Sequence, residues 1–499
     1  MGLLSDKELG QLVPAGQLDS GTPIPTRQVS SDEYLPMAQT PRQKQVEARM
    51  NALGDEYGRK NGLSRRRFFQ TAAGMTAAFG AMNEVYGPLF GVSPAEARSV
   101  DLAQARADGL KDQFIMDVHT HFLRDDTRLQ GFARGREAVG KAGWNPDLVG
   151  KPQTLEDLKY PNWFKELYLD SDTKVALISG APSEDARDWF LTNDMKLDAR
   201  TKVNNAAGSR RCLSHAIFTP GYPGWMDEVD RAIETLKPDS WKGYTVGDNT
   251  NKDLSTHPWR MDDEKLVYPF YEKITKAGYD IVCVHKGLYP PSVEQRFPHL
   301  TPHAGVDDVG KAAKDWPNIR FVIYHSAFRW TGGPGASKGG YEQFEKTGRV
   351  EWTSDLADIP AKYGVSNVYG DLGQIFAQTV VVEPRLAAAL MGILIKGLGA
   401  DHVVWGTDAL WTGAPQWQIE GLRRLEIPED MRKKYGYAEL GPADGPAKRA
   451  IFGENSARMY RYDVKKSEWR GDRFAAIKSD YERNGRNPSN RRYGYVVPS

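Results

Sequence analysis

Residues Phe114–Phe122 read "FIMDVHTHF", an apolar run that ends in two histidines one residue apart, His119 and His121, with Asp117 two residues before the first. The run is short and β-rich, which predicts a strand. Successive strand side chains point to opposite faces, so Asp117, His119 and His121 are expected to share one face while Val118 and Thr120 take the other. Two imidazoles on one face at a strand end can hold a single metal ion from one side. The competing reading is a pair of surface or hydrogen-bonded histidines, and the remainder of the chain decides between them.

Seven more runs of the same kind follow: "KVALIS" (174–179), "CLSHAIF" (212–218), "KGYTV" (242–246), "DIVCVH" (280–285), "IRFVIYH" (319–325), "NVYGDL" (367–372) and "HVVWGTD" (402–408). Each precedes a stretch able to form a helix, such as "DEVDRAIETLK" (227–237) or "DEKLVYPFYEKITKAG" (263–278). Strands that alternate with helices argue for a parallel sheet, and eight is the number that closes a (β/α)8 TIM barrel of the α/β class. No internal repeat is visible. The runs start about 30 to 60 residues apart, so several connections are long, and long βα loops are where such barrels keep their chemistry.

The polar residues fall at the strand ends. Run one ends at His119 and His121, run five at His285, run six at His325 and run eight at Asp408, although the whole chain has only nine histidines. All five groups are expected on the barrel face that carries active sites. Three or four nitrogen and oxygen ligands with one open position suit a catalytic divalent ion. His119, His121 and His285 supply neutral imidazoles, and Asp408 a carboxylate that can ligate or accept a proton. Such an ion lowers the pKa of water from about 15.7 towards 7 and polarises a substrate oxygen. His325 reads as a further ligand or, better, as a general acid/base beside the ion.

"DVHTH", "VCVHKG", "VIYHSAF" and "VVWGTDALW", in that order, resemble the amidohydrolase superfamily, and most of all its amidohydrolase-related branch of aminocarboxymuconate semialdehyde decarboxylase-like enzymes. "DDEKLVYPFYEKITKAGYDIVCVH", "NVYGDLG" and the closing "AKRAIFGENSARMY" (447–460), with Phe452, Gly453, Asn455 and Ala457, carry the same resemblance. It covers residues 112–462. It implies a metal-dependent barrel with His119, His121, His285 and Asp408 at the metal and His325 as the catalytic or second-sphere histidine. Binuclear members use a carboxylated lysine on the fourth strand. The only lysine in that run is Lys242, followed at once by Gly243; its side chain is expected to face the helices, which favours a single ion, zinc first and manganese as the alternative. The branch holds hydrolases, decarboxylases and hydratases on one ligand set, so the reaction lives in the loops.

The loops after runs six and eight, "SAFRWTGGPG" and "ALWTGAPQWQ", bring Trp330, Trp411 and Trp417 near Arg329, and Lys286 directly follows His285. Aromatic walls with an arginine fork or a lysine suit a small, planar or aromatic carboxylate. The plainer reading has the tryptophans packing the loops and Arg329 paired with a local acid such as Asp355. The glycine-rich stretch 332–340 lacks the spacing of a phosphate cradle and reads as a mobile lid.

Composition bounds the rest. A chain of 499 residues can bury a large core, and a net charge of +1 points to neither nucleic acid nor an anionic membrane. No apolar run reaches the ~18 residues of a membrane span. The two cysteines, Cys212 and Cys283, make no disulfide scaffold, and Cys283 inside "DIVCVH" reads as a buried thiol. Residues 1–63 read as a polar, mostly disordered leader with one short helix near 41–53. Residues 64–98, from "LSRRRFFQTAAGMTAAFGAM" to "SPAEARS" with small residues at Ala95 and Ala97, resemble a twin-arginine export signal. The alternative is an arginine-capped helix of the fold, with a cytoplasmic protein. The export reading implies the twin-arginine machinery as a partner, a periplasmic or exported location, and loading of the metal before transport. Residues 463–499 form a basic extension expected to pack on the barrel. Self-association into a homo-oligomer stays open.

Three functions are compatible with these residues. The first is a metal-dependent hydrolase of an amide, ester or lactone in a small carboxylate substrate, with Asp408 taking the proton from water and His325 assisting the carbonyl or leaving group. The second is a non-oxidative decarboxylase on the same site. The third is a catalytically inactive barrel serving as a binding partner, against which the intact ligand set argues.

Overall fold

The computed structural model describes residues 22–26, 38–143, 148–150, 153–329, 336–466 and 468–484. Eight strands, β1 (Met116–Thr120), β2 (Val175–Ile178), β3 (Cys212–Ile217), β4 (Ser240–Tyr244), β5 (Ile281–His285), β6 (Arg320–Tyr324), β7 (Val368–Asp371) and β8 (Val403–Val404), lie side by side in chain order, each parallel to the next. Every one overlaps a run marked in the sequence. The sheet closes on itself: Val118 N–H donates to Trp405 O at 3.0 Å, Asp408 N–H to His119 O at 2.8 Å and Leu410 N–H to His121 O at 3.1 Å. The expected (β/α)8 barrel is the observed fold.

Both faces of the strands are buried, which is why they read as nearly continuous apolar runs. Val282 and Val284 of β5 and Phe321 and Ile323 of β6 pack outward in the main apolar cluster with Phe270, Tyr271 and Leu356. Cys283, Val322 and Tyr324 belong instead to a second cluster with Met116, Val118, Val175, Leu177 and Leu213. Cys212 and Cys283 are both buried free thiols.

One strand departs from strict alternation. Asp117 pairs with Ala176, but Thr120 pairs with Ile178, so β1 advances three residues where β2 advances two. This bulge corrects the expectation that Asp117, His119 and His121 share a face. An extra residue in a strand re-aims the side chains that follow it. Asp117 turns to the chain after β8, accepting from Thr407 Oγ1 at 2.5 Å and from Thr407 N–H at 3.1 Å. Thr120, on the same side, accepts from Trp163 Nε1 at 3.1 Å. His119 is thereby freed to enter the barrel mouth.

The segment before the barrel is more structured than its composition suggested. The helix Pro41–Lys60 replaces the short one expected near 41–53, and it buries Val46, Met50, Leu53 and Tyr57. Those positions are four, three and four apart, a single helical stripe. Arg65, Arg66 and Arg67 are exposed, in a turn capped by Ser64, whose Oγ accepts from Arg67 N–H. The next helix, Ala72–Tyr86, buries Ala73, Ala77, Ala78, Phe79, Ala81 and Met82 against the barrel's apolar cluster. Glu96 fixes this segment in place: its carboxylate accepts from Thr76 Oγ1 at 2.7 Å and from Arg424 at 2.5 Å, on the helix Pro415–Arg424 that follows β8. At the other end, the helix Arg473–Arg483 lies over the barrel, with Phe474 buried against Phe164 and Tyr168 and Asp472 ion-paired to Arg211 at 2.6 Å. No helix among the described residues is long and apolar enough to cross a membrane.

Candidate metal centre

Three groups converge where β1 meets the chain after β8. His119 Nε2 and His121 Nε2 are 3.1 Å apart, and Asp408 Oδ1 lies 3.2 Å from the first and 3.3 Å from the second. Ligands held 2.0–2.1 Å from one ion at angles between 90° and tetrahedral stand about 3.0–3.4 Å from one another. The triangle therefore has the size of one face of a coordination shell. All three side chains are essentially inaccessible to solvent, so the lone pairs are kept from water and aimed at a common point.

The surroundings prepare the imidazoles as ligands. His119 Nδ1 is 2.7 Å from Asp371 Oδ2, at the end of β7. A carboxylate on one ring nitrogen fixes the tautomer that leaves the other as a lone-pair donor. Glycines make this pair possible: a side chain at Gly373 or Gly406 would collide with the His119 ring or the Asp371 carboxylate. Burial holds His119, His121 and His285 well below the ordinary histidine range, so they are neutral, as metal ligands must be. It also raises the Asp371 carboxyl to about 6. The ring of Tyr324, on β6, packs on His119 with centroids 3.9 Å apart, and its hydroxyl donates to Val118 O at 2.7 Å.

His285 and His325 stand beside the triangle as a pair. His325 Nδ1 is 3.0 Å from Gly373 O, which assigns the proton to that nitrogen, and His325 Nε2 is 3.2 Å from His285 Nδ1. His285 Nδ1–H then donates, and its Nε2 carries the lone pair. Of the four residues expected at the metal, the structure brings His119, His121 and Asp408 within bonding range of one point, whereas His285 meets His325. Burial lowers His325 to about 4. His325, Ser326 and Ala327 all adopt left-handed backbone conformations (φ 58°, 43° and 54°), as does Asp408 (φ 60°). Each such residue costs of order 1–3 kcal/mol, strain that is typically stored where side chains must be aimed.

The expected substrate contacts divide. Trp411 stacks on His121, its ring within 8° of parallel at 5.5 Å, and Phe190 meets both edge-on. Trp417 packs in the main core instead, and Trp330 lies outside the described residues. Arg329 is taken up by Glu294 and Glu351 rather than by Asp355, which pairs with Arg349. Lys286 is buried against Asp308 and His303 O, both at 2.8 Å. Residues 332–335 of the expected lid are also outside the described residues, and the chain resumes as the helix Ala336–Thr347.

Lys242 corrects another expectation. Its neighbours Trp241 and Gly243 meet Phe270 and Trp259 outside the barrel. Lys242 itself points inward, fully buried, with Nζ 3.2 Å from the Tyr324 ring centroid. Sequence reasoning also passed over Asp371. The signal was present: run seven ends in a carboxylate, as run eight does, and the same strand-end rule picks it out.

By fold and site, then, this is a (β/α)8 barrel whose strand ends fit a divalent ion. Residues 246–462 match the family model Amidohydro_2, described as amidohydrolase. The matched segment runs from the end of β4 through the closing helix, and includes His285, His325, Asp371 and Asp408 but not His119 or His121. No curated protein matches the sequence. Among solved structures, 5-carboxyvanillate decarboxylase from Sphingomonas paucimobilis is 15% identical with a TM-score of 0.41, over 70% of this chain and 99% of that one. The 2,6-dihydroxybenzoate decarboxylase from Rhizobium is 14% identical (TM-score 0.38; 70% and 99%). Amidohydrolase 2 from Bifidobacterium longum subsp. infantis is 11% identical (TM-score 0.34; 70% and 100%). Likeness at this level leaves the reaction to be argued from the site itself.

Proposed function

We propose that the protein is a metal-dependent enzyme of the amidohydrolase superfamily that hydrolyses an amide, ester or lactone bond in a small-molecule substrate. The observation that carries this reading is the triangle of His119, His121 and Asp408, buried, neutral at both imidazoles and sized for one ion. His119, His121 and Asp408 hold the ion, and Asp371 orients His119. A bound zinc or manganese ion supplies Lewis acidity, lowering the pKa of water towards ~7. Asp408 takes the proton from the attacking water through its carboxylate. His325, neutral and with Nε2 as an acceptor, holds His285 Nδ1–H and so fixes the lone pair of His285 at the site. The wall of Trp411 and Phe190 excludes bulk water and favours a planar substrate. Export through the twin-arginine route remains part of the proposal, supported by the exposed Arg65–Arg67 turn. The buried position of the following helix favours a segment that stays attached after transport.

The test is product analysis on a panel of carboxylate-bearing amides, esters and lactones together with the matching aromatic acids. Hydrolysis products, with kcat reduced at least ~100-fold in Asp408→Asn, are expected. Release of CO2 from the acids with no hydrolysis would overturn the reading in favour of decarboxylation.

A further inference from the structure

Lys196, at the barrel mouth, is not used by the site described above. It belongs to the first turns of the helix Asn193–Ala207, which follows β2 and therefore begins on the face where the strand ends gather. Its side chain is fully buried, and Nζ has no hydrogen-bond partner among the described residues. Nζ rests beside Gly180, two residues beyond β2, 3.5 Å from where a Cβ would stand. Its electrostatic neighbours are His121, His215 and Lys242 on the barrel side and Glu228 on the helix side. Glu228 is occupied, bound by Arg231 at 2.7 and 2.9 Å and by Asn193 at 2.9 Å.

Burial and the nearby Lys242 hold the Lys196 pKa well below the ordinary lysine value, so a charged Nζ at this place needs an anion to complete it. A second donor, within electrostatic reach of the lysine, is in the same condition. His121 Nδ1 is buried with no hydrogen-bond partner among the described residues. With Nε2 at the metal, Nδ1 carries the proton, and a metal-ligating histidine normally donates that proton to a carboxylate, carbonyl or water. Meanwhile the cations expected to meet a substrate acid, Arg329 and Lys286, are both paired within the protein.

We propose that Lys196, with the Nδ1–H of its electrostatic neighbour His121, forms an anion subsite that anchors a carboxylate of the substrate apart from the bond that reacts. This deepens the hydrolase reading and rests on it for the identity of the site. The substrate class is then an amide, ester or lactone with a separate anionic group, oriented by the lysine while the metal-side groups act on the reacting carbonyl. Trp411 and Phe190, flanking His121, favour a flat acid.

The probes are benzoate and its neutral isostere benzamide, titrated calorimetrically into the full-length protein as purified. Wild type is expected to bind benzoate at least ~10-fold more tightly than benzamide, the worth of one charge-assisted hydrogen bond. Lys196→Met is expected to lose that preference with metal content per chain unchanged, and Lys196→Arg to keep part of it. A wild-type crystal soaked with 4-bromobenzoate gives a check that needs no variant: the bromine signal orients the ring, and the carboxylate is expected within hydrogen-bond distance of Nζ. Equal affinity for the two probes in wild type, an undiminished preference in Lys196→Met, or a carboxylate seated elsewhere would overturn the subsite. Absence of metal in wild type would instead count against the hydrolase reading, and is measured separately.

Discussion

Asp371 never touches the proposed ion, yet the geometry gives it a decisive part: its carboxylate sits 2.7 Å from His119 Nδ1 and holds the ring in the tautomer that ligates. Asp371→Asn keeps the shape and weakens that orientation, so metal affinity is expected to fall about 10- to 100-fold, the usual cost of losing such a partner. Competition with a metallochromic chelator measures it, and unchanged affinity with an unchanged fold would remove Asp371 from the site. The residue scale is also where the sequence was hardest to read. His119, His121 and Asp408 were legible because histidines are scarce and strand ends in a barrel share a face. The inward turn of Lys242 was not, because alternation along a strand does not say which face points into the barrel; that is set by Trp241 and Gly243 packing on Phe270 and Trp259 outside. Arg329 and Lys286 looked available because their partners, Glu294, Glu351 and Asp308, are distant enough in sequence for the pairing to be invisible.

The elements tell a similar story. Eight β-rich runs marked the eight strands, since burial on both faces leaves a continuous apolar signature. The bulge in β1 left no such mark: it is created by pairing with β2, and no local residue pattern in "MDVHT" announces it. The helix Pro41–Lys60 was under-read for another reason. Its stripe of Val46, Met50, Leu53 and Tyr57 is regular, but sparse among charged residues. The signal-like segment 64–98 is packed into the barrel through Glu96 and Arg424, both buried. Glu96→Gln leaves the Arg424 guanidinium, among the described residues, with only Glu420, 3.3 Å away, as a charged partner. Breaking a buried pair by removing one side costs about 3 kcal/mol or more, and a lowered urea midpoint for Glu96→Gln is the expected outcome. A midpoint equal to wild type would mean that the segment is not part of the stable fold.

At the scale of the whole molecule, the interior of the barrel is an environment that keeps imidazoles neutral. His119, His121, His215, His285 and His325 are all buried and all held below the ordinary value of 6.5. On unfolding they take up protons that the folded chain refuses, so below about pH 6.5 the unfolded state binds more protons and stability falls as pH falls. The window runs from 6.5 down to about 4, where His325 protonates in place. Asp117, Asp371 and Glu383, raised to about 7, 6 and 7, act in the opposite sense, as do Asp157 and Glu426, also raised by burial, whereas Lys174, lowered by burial to about 7, adds to the histidines. In the presence of a chelator, the urea midpoint is therefore expected to drop between about pH 7 and 5.5, and a rising midpoint would contradict the charge states assigned here. The central claim is that a buried triangle of two imidazoles and one carboxylate holds a divalent ion. Elemental analysis of the wild-type protein, purified without added metal or chelator and compared with His119→Ala, tests it most directly. About one zinc or manganese ion per chain, lost in the variant, is the predicted result; wild-type protein that holds no ion even after reloading would contradict it.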